Sequence, residues 1–266
     1  DWSSDVCSSD LTVDHRLQGI AYLYVIMIKN QDVYPTGVLN LTAIVEGPTQ
    51  YDPRTDAQVW TTNLAIHAYD YITRDEAYAS DIQDTDTANI GAQANICDEI
   101  VTVEAEDFGV TAIDTATDII TLSGDLLTLQ FGDQVQISSD GSIPSGLSGS
   151  TNYYVIPYQI KTTPRIKLAA TLEDAMAKVA IDITSAGSGV IEITKNGEPR
   201  YHGSGVIDSA NQLNENLNNL VTCMAGRAIN IAGAWTLLAG AWRTPVVDLG
   251  INDMRGSGFA VKNCLS

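Results

Sequence analysis

Residues 116–138 read ATDIITLSGDLLTLQFGDQVQIS, and their texture decides the fold class. Ile, Val, Leu and Thr recur in short runs broken by Gly124 and Gly132, which is the pattern of strands joined by tight turns. Working outward, the same texture spans residues 104–195. Turn clusters such as SSDGSIPSGLSGSTN (138–152) recur at short intervals, and TLEDAMAKV (171–179) is the one helical pattern inside it. We expect a small all-β module here, inserted into a host whose helical sequence resumes on the far side. Such an insertion costs little where the module's ends lie close together.

The flanks differ. TTNLAIHAYDYITRDE (61–76) places Leu64, Ala68, Tyr71 and Ile72 on one helical face. A second helix is expected to start near Asp86 or Thr87 and run through ANIGAQANICDEI (88–100), and DSANQLNENLNNLVTCMAG (208–226) carries a third. Its apolar stripe is Leu213, Leu217, Leu220, Val221 and Met224, with Asp208 expected as its cap and Gly226 as its end. RAINIAGAWTLLAGAW (227–242) reads as two short strands joined at 232–234, and GPTQYDPRTDAQVW (47–60) as an irregular surface loop. Residues 17–29 and 38–46 are expected to form an antiparallel strand pair. The run IAYLYVIMI (20–28) within it is about half the ~20 residues a membrane-spanning helix needs. The fold class is therefore α+β and β-rich: a discontinuous host, residues 12–103 and 196–266, with strands and about three helices, interrupted by the β module of 104–195.

The opening DWSSDVCSSDL (1–11) is similar along its whole length to a translated sequencing-library adapter and is set apart from the fold as a processing scar of a metagenomic fragment. Setting aside its three acids, Asp1, Asp5 and Asp10, takes the formal charge from −19 to −16. That excess of acid argues against stable nucleic acid binding, which needs clustered Lys and Arg. Cys97, Cys223 and Cys264 lie far apart and are expected to be reduced, mostly buried thiols.

No residue is assigned a catalytic, cofactor-binding or metal role. His15, His67 and His202 are scattered, and His67 falls on a helix flank, where a satisfied core-edge histidine is expected. DIQDTDTAN (81–89) offers Asp81, Asp84 and Asp86 as calcium ligands, but a loop starting at Asp84 has Asn89 and Asn95 where an EF-hand needs Gly and Glu. Those acids read as helix caps. HGSGV (202–206) and RGSGF (255–259) are flexible turns, not nucleophile elbows. Trp60, Trp235 and Trp242 could stack on sugars, although Trp235 and Trp242 sit in apolar strands and are expected to fill a core.

Five phrases outside the β module occur in the order found in phage tail-tip proteins: VYPTGVLNLTAIVEG (33–47), YDPRTD (51–56), ANICDEIVTV (94–103), EPRYHGSGVIDS (198–209) and AGAWTLLAGAWRTPVVDLGINDMRG (232–256). Through them the chain resembles the hub region of the lambda-like tip attachment protein J family. The resemblance covers residues 16–103 and 197–258. Within the module, GLSGSTNYYVI (146–156) and KLAATLEDAMAKVAIDITSAGSG (167–189) are similar to small β modules of phage structural proteins. One departure is Thr61, Thr62 and Asn63, where the family commonly begins its first helix with a DNP-type phrase. The resemblance implies a non-enzymatic virion component assembled in the bacterial cytoplasm. It would be a homotrimeric ring at the tail tip or baseplate hub that closes the tail tube and contacts tube, tip and fibre proteins. In that place it would support host attachment and DNA ejection without inserting in a membrane. Two other readings stay open: a tail-associated cell-wall hydrolase, and a carbohydrate-binding module acting through the β insert.

Overall fold

The computed structural model describes residues 45–124, 128–159 and 163–242. Segment 1–11, the strand pair expected at 17–29 and 38–46 apart from its last two residues, Cys264 and RGSGF lie outside the described residues. The fold is β-rich α+β, with two separate hydrophobic cores.

The first core is a helical layer. α1 (Leu64–Thr73) begins because Asn63 satisfies two otherwise free amides, its Oδ1 accepting from Ala65 N and Ile66 N at 3.0 and 3.2 Å. The other half of the same amide donates to Ala94 O at 2.8 Å, which ties the start of α1 to α2 (Thr87–Asp98). Asp86 caps α2 through Asn89 N, and Asp81 caps the short 3-10 turn of Ile82–Asp84 through Gln83 N, so both acids act as the sequence pattern suggests. α4 (Leu213–Cys223) packs Leu217, Val221 and Met224 onto α1, while β9 (Arg227–Ile231) and β10 (Ala234–Leu238) form a hairpin whose Leu237 completes the core. The hairpin turns on Ala232 and Gly233, both at positive φ.

Four expectations for this region are corrected. The stretch 47–60 is not irregular: β1 (Gln50–Asp52) pairs with β2 (Ala57–Val59), and Arg54 holds the turn by bonding Asp52 and reaching Asp98 at 2.7 Å. Asp208 does not cap α4; its carboxylate takes Ala210 N in a turn four residues earlier, and the cap position is Gln212 without a side-chain bond. Leu213 faces solvent, since the first turn of the helix lies off the core. At the other end the left-handed residue is Ala225, φ 48°, not Gly226. Gly226 is needed for a different reason, because a Cβ there would collide with the carbonyl of Leu238.

The second core is a closed, wholly antiparallel barrel in the order β3-β4-β7-β6-β5-β8. Its strands are β3 (Ile100–Asp114), β4 (Ile119–Leu122), β5 (Gln134–Ser139), β6 (Tyr153–Gln159), β7 (Arg165–Ala169) and β8 (Ile191–Pro199). Alternate residues point inward: Ile120 and Leu122, Val135 and Ile137, Tyr153 and Val155, Ile166 and Leu168, Ile191 and Ile193 fill the interior. Closure removes the long free strand edges of an open sheet, the β5–β6 seam being the shortest-laddered with Gln134 opposite Tyr154 and Val135 opposite Tyr153. β3 and β8 enter as a two-stranded ribbon, with Ile100 opposite Pro199 and Thr102 opposite Gly197, before a register shift between Thr102 and Glu106 marks the barrel proper. α3 (Leu172–Met176), capped by Thr171, covers part of the outer wall through Ala175, which packs with Ile156 and Ala169.

Candidate functional site

The base of the barrel, where the ribbon enters, gathers the most heavily buried charges of the described residues. Along β8 the inward positions run Ile191, Ile193, Lys195, so the strand alternation that packs two isoleucines carries a lysine into the same interior row. Opposite it, Asp133 stands immediately before β5, with Val135 the register partner of Lys195. Lys195 Nζ lies 2.9 Å from Asp133 Oδ2 and 2.8 Å from Glu198 Oε2. The Asp133 side chain is 0% exposed and that of Lys195 12%, whereas Glu198 is 40% exposed and forms the solvent side of the cluster.

Asp133 is held on three sides: Oδ2 also accepts from Gln130 N at 2.7 Å, and its backbone carbonyl accepts from Val155 N. Oδ1 is buried without a hydrogen-bond partner. Burial pushes this carboxyl above the usual carboxylate range, and the Gln130 amide, Lys195 and the more distant His202 only partly oppose it. For Lys195, burial favours the free amine, but the two carboxylates outweigh it and hold the ammonium above the ordinary lysine value. The two groups are thus coupled: a proton passed from Lys195 to Asp133 removes the attraction that keeps Lys195 charged.

The ribbon and α3 carry this base onto the helical layer. Arg200 N donates to Glu99 O and Tyr201 N to Cys97 O, while Asn63 and His202 form an isolated bridge. Trp60 meets Phe131 edge to face with centroids 4.8 Å apart, and Lys178 Nζ sits 5.0 Å from the Trp60 ring. Trp60 is therefore a packing residue between barrel and layer.

The residues weighed from sequence are dispersed. His67 is a core-edge histidine, with Nδ1 2.6 Å from Gln50 Oε1 and Nε2 3.1 Å from Gly203 O, and burial lowers its pKa. His202 lies at the layer side of the ribbon. Trp235 packs on Tyr78 and donates to Ser80 Oγ at 3.0 Å. Trp242, expected in a core, is 84% exposed, because the chain leaves β10 before reaching it. Burial pushes the Cys97 thiol up to about 11, but Cys223 is exposed, against the expectation of buried thiols, because it falls on the wet face of α4. Among the described residues no three His, Cys, Asp or Glu side chains gather as metal ligands, and no helix is long and apolar enough to cross a membrane. Neither Asp133 nor Lys195 was singled out by sequence reasoning. The available signal was ITK, a lysine in phase with an inward alternation, and an aspartate preceded by Gly132 and in phase with the apolar Val135 two residues on.

Comparison with protein-family models, curated proteins and solved structures gives no match.

Proposed function

We propose that the chain is a non-enzymatic structural component of a bacteriophage tail tip or baseplate hub, in which the helical layer belongs to the hub and the barrel is an inserted module. The observation that carries this reading is the meeting of phrases that resemble tail-tip hubs. ANICDEIVTV and EPRYHGSGVIDS are separated by about a third of the chain, yet Ile100 pairs with Pro199 and Val101 with Glu198. The later phrase then reaches the fifth, with the Tyr201 hydroxyl donating to Gly240 O. The hub residues thus close on one another across the ribbon, as a host fold interrupted by an insert requires.

In this role the protein works as a homotrimer contacting tube, tip and fibre proteins. Its acidic balance disfavours adhesion of passing DNA through like-charge repulsion. The test is made on purified tails of the parent phage. The chain is expected at three copies per tail, with immunogold label at the distal end. Its absence from purified tails overturns the proposal, as does release of soluble fragments from purified cell walls by the chain itself.

A further inference from the structure

We propose that Lys195 and Asp133 join covalently, through an intramolecular amide between Nζ and Cγ, with Glu198 as the proton carrier of the reaction. The inference is independent of the tail reading and rests on the geometry at the barrel base. Three requirements of spontaneous amide formation are met there by position. Lys195 Nζ already lies 2.9 Å from Oδ2 of the carboxyl it would attack, with the lysine in β8 and the aspartate at the start of the adjoining β5, so the encounter costs no translational entropy. The acid partner is fully buried and has one oxygen without a donor, which penalises the unreactive carboxylate. A second carboxylate touches the same nitrogen at 2.8 Å and opens to solvent, giving released water an exit.

The step balances without an oxidant or any co-reactant. The Lys195 ammonium passes one proton to Asp133 Oδ2, leaving a neutral amine beside a neutral carboxylic acid. The amine lone pair attacks Cγ, and the carbonyl electrons move onto Oδ1. Glu198 then takes a proton from the attacking nitrogen and delivers it to the Oδ2 hydroxyl. The Cγ–Oδ2 bond breaks, Oδ1 regains its double bond, and one water leaves. Glu198 ends as the carboxylate it began as. Because Asp133 precedes β5 and Lys195 lies in β8, the product bolts two neighbouring strands together where the ribbon joins the barrel.

The whole chain, folded by circular dichroism and then denatured, is weighed by mass spectrometry. The expected mass is about 18 Da below that of the sequence, one water lost to amide formation. Tryptic digestion should yield a branched peptide joining Asp133 to Lys195. Lys195→Arg, which keeps the charge, should fold and return to full mass. Asp133→Asn should instead lose ammonia, about 17 Da, through the same attack. Glu198→Gln, at a half-exposed position, should fold and slow the mass loss by about 100-fold or more. A folded wild-type chain that keeps its full mass after prolonged incubation overturns the proposal. So does a water loss that maps to Asp140, whose neighbour Gly141 permits a succinimide of the same mass. Mass loss in Glu198→Gln at the wild-type rate removes Glu198 from the mechanism.

Discussion

The barrel and the helical layer face the same problem, unpaired backbone groups at strand edges, and solve it in different ways. The barrel closes its ladder on itself, from β8 back to β3, so its strand edges are met mostly by backbone, with the shortest ladders between β5 and β6 and between β4 and β7. The layer's β9–β10 hairpin instead has an open edge at β10 that is met by other elements. Trp235 O accepts from Asp86 N, Leu237 N donates to Asn89 Oδ1, and Ala239 N donates to Gln93 Oε1. Closure asks little of the sequence beyond alternation and turns. Capping an edge with side chains asks for particular amides at particular helix positions.

The strongest break in the comparison is to separate the two regions. Replacing residues 104–195 by a short Gly/Ser linker should leave a layer that keeps its helical circular dichroism, because the cut ends are held side by side by the pairing of Ile100 with Pro199. An unfolded product would mean that the layer depends on the barrel for its core. Next come core truncations. Ile166→Ala in the barrel and Ile66→Ala in the layer, both fully buried, should each cost about 2–5 kcal/mol in denaturant unfolding. Amide exchange resolved to α1 and to β7 gives one probe for each core. If Ile166→Ala shifts both probes equally, the two cores unfold as one unit.

A smaller effect should follow from Gln93→Leu, which leaves the buried Ala239 amide without that acceptor and should cost about 1–3 kcal/mol, read as a shifted urea midpoint. The same change would be harmless if water could replace the amide oxygen. The pH dependence of the layer sharpens the contrast further. Burial depresses the pKa of His67 in the folded state, so below about pH 6.5 the unfolded chain takes up a proton that the folded chain resists. Stability present above that pH should be lost as pH falls toward the folded value. His67→Gln should flatten this part of the melting profile, and an unchanged slope would show that His67 does not set it. The smallest expected effect is a gain: Ala225→Gly relieves a left-handed alanine at the end of α4 and should add about 0.5–1 kcal/mol.

The contrast also explains what could be read from the sequence. The barrel region announced itself through alternation and turns, and α3 stood out within it. In the layer, α1 and α2 were legible through their apolar faces and caps, and the β9–β10 turn through Ala232 and Gly233. The short hairpin at 50–59 was not, because three-residue strands carry too little alternation and Arg54 acts through partners distant in sequence. Asp208 looked like a cap because its type and place were right, but an extra turn intervenes and Asn216 reaches back to the Asp208 carbonyl. The base cluster was hidden for another reason: Asp133 and Lys195 are far apart along the chain and meet only through the β5–β8 register. Composition can suggest that a lysine points inward, but it cannot name the acid that awaits it.

The entry of the barrel through paired ends has a mechanical consequence. Tension pulling Glu99 away from Arg200 loads the ribbon from its end, opening one rung at a time, as a zipper opens, instead of shearing all rungs together. Complete opening would pay out the chain between Ile100 and Pro199, about 330–350 Å at full extension. The barrel is thus a folded reserve of length lying outside the direct path of force through the layer. An amide between Asp133 and Lys195 would act as a stop, keeping everything between those two residues out of the extension and limiting the slack to two unequal arms, Ile100 to Asp133, which carries β3 and β4, and the short Lys195 to Pro199.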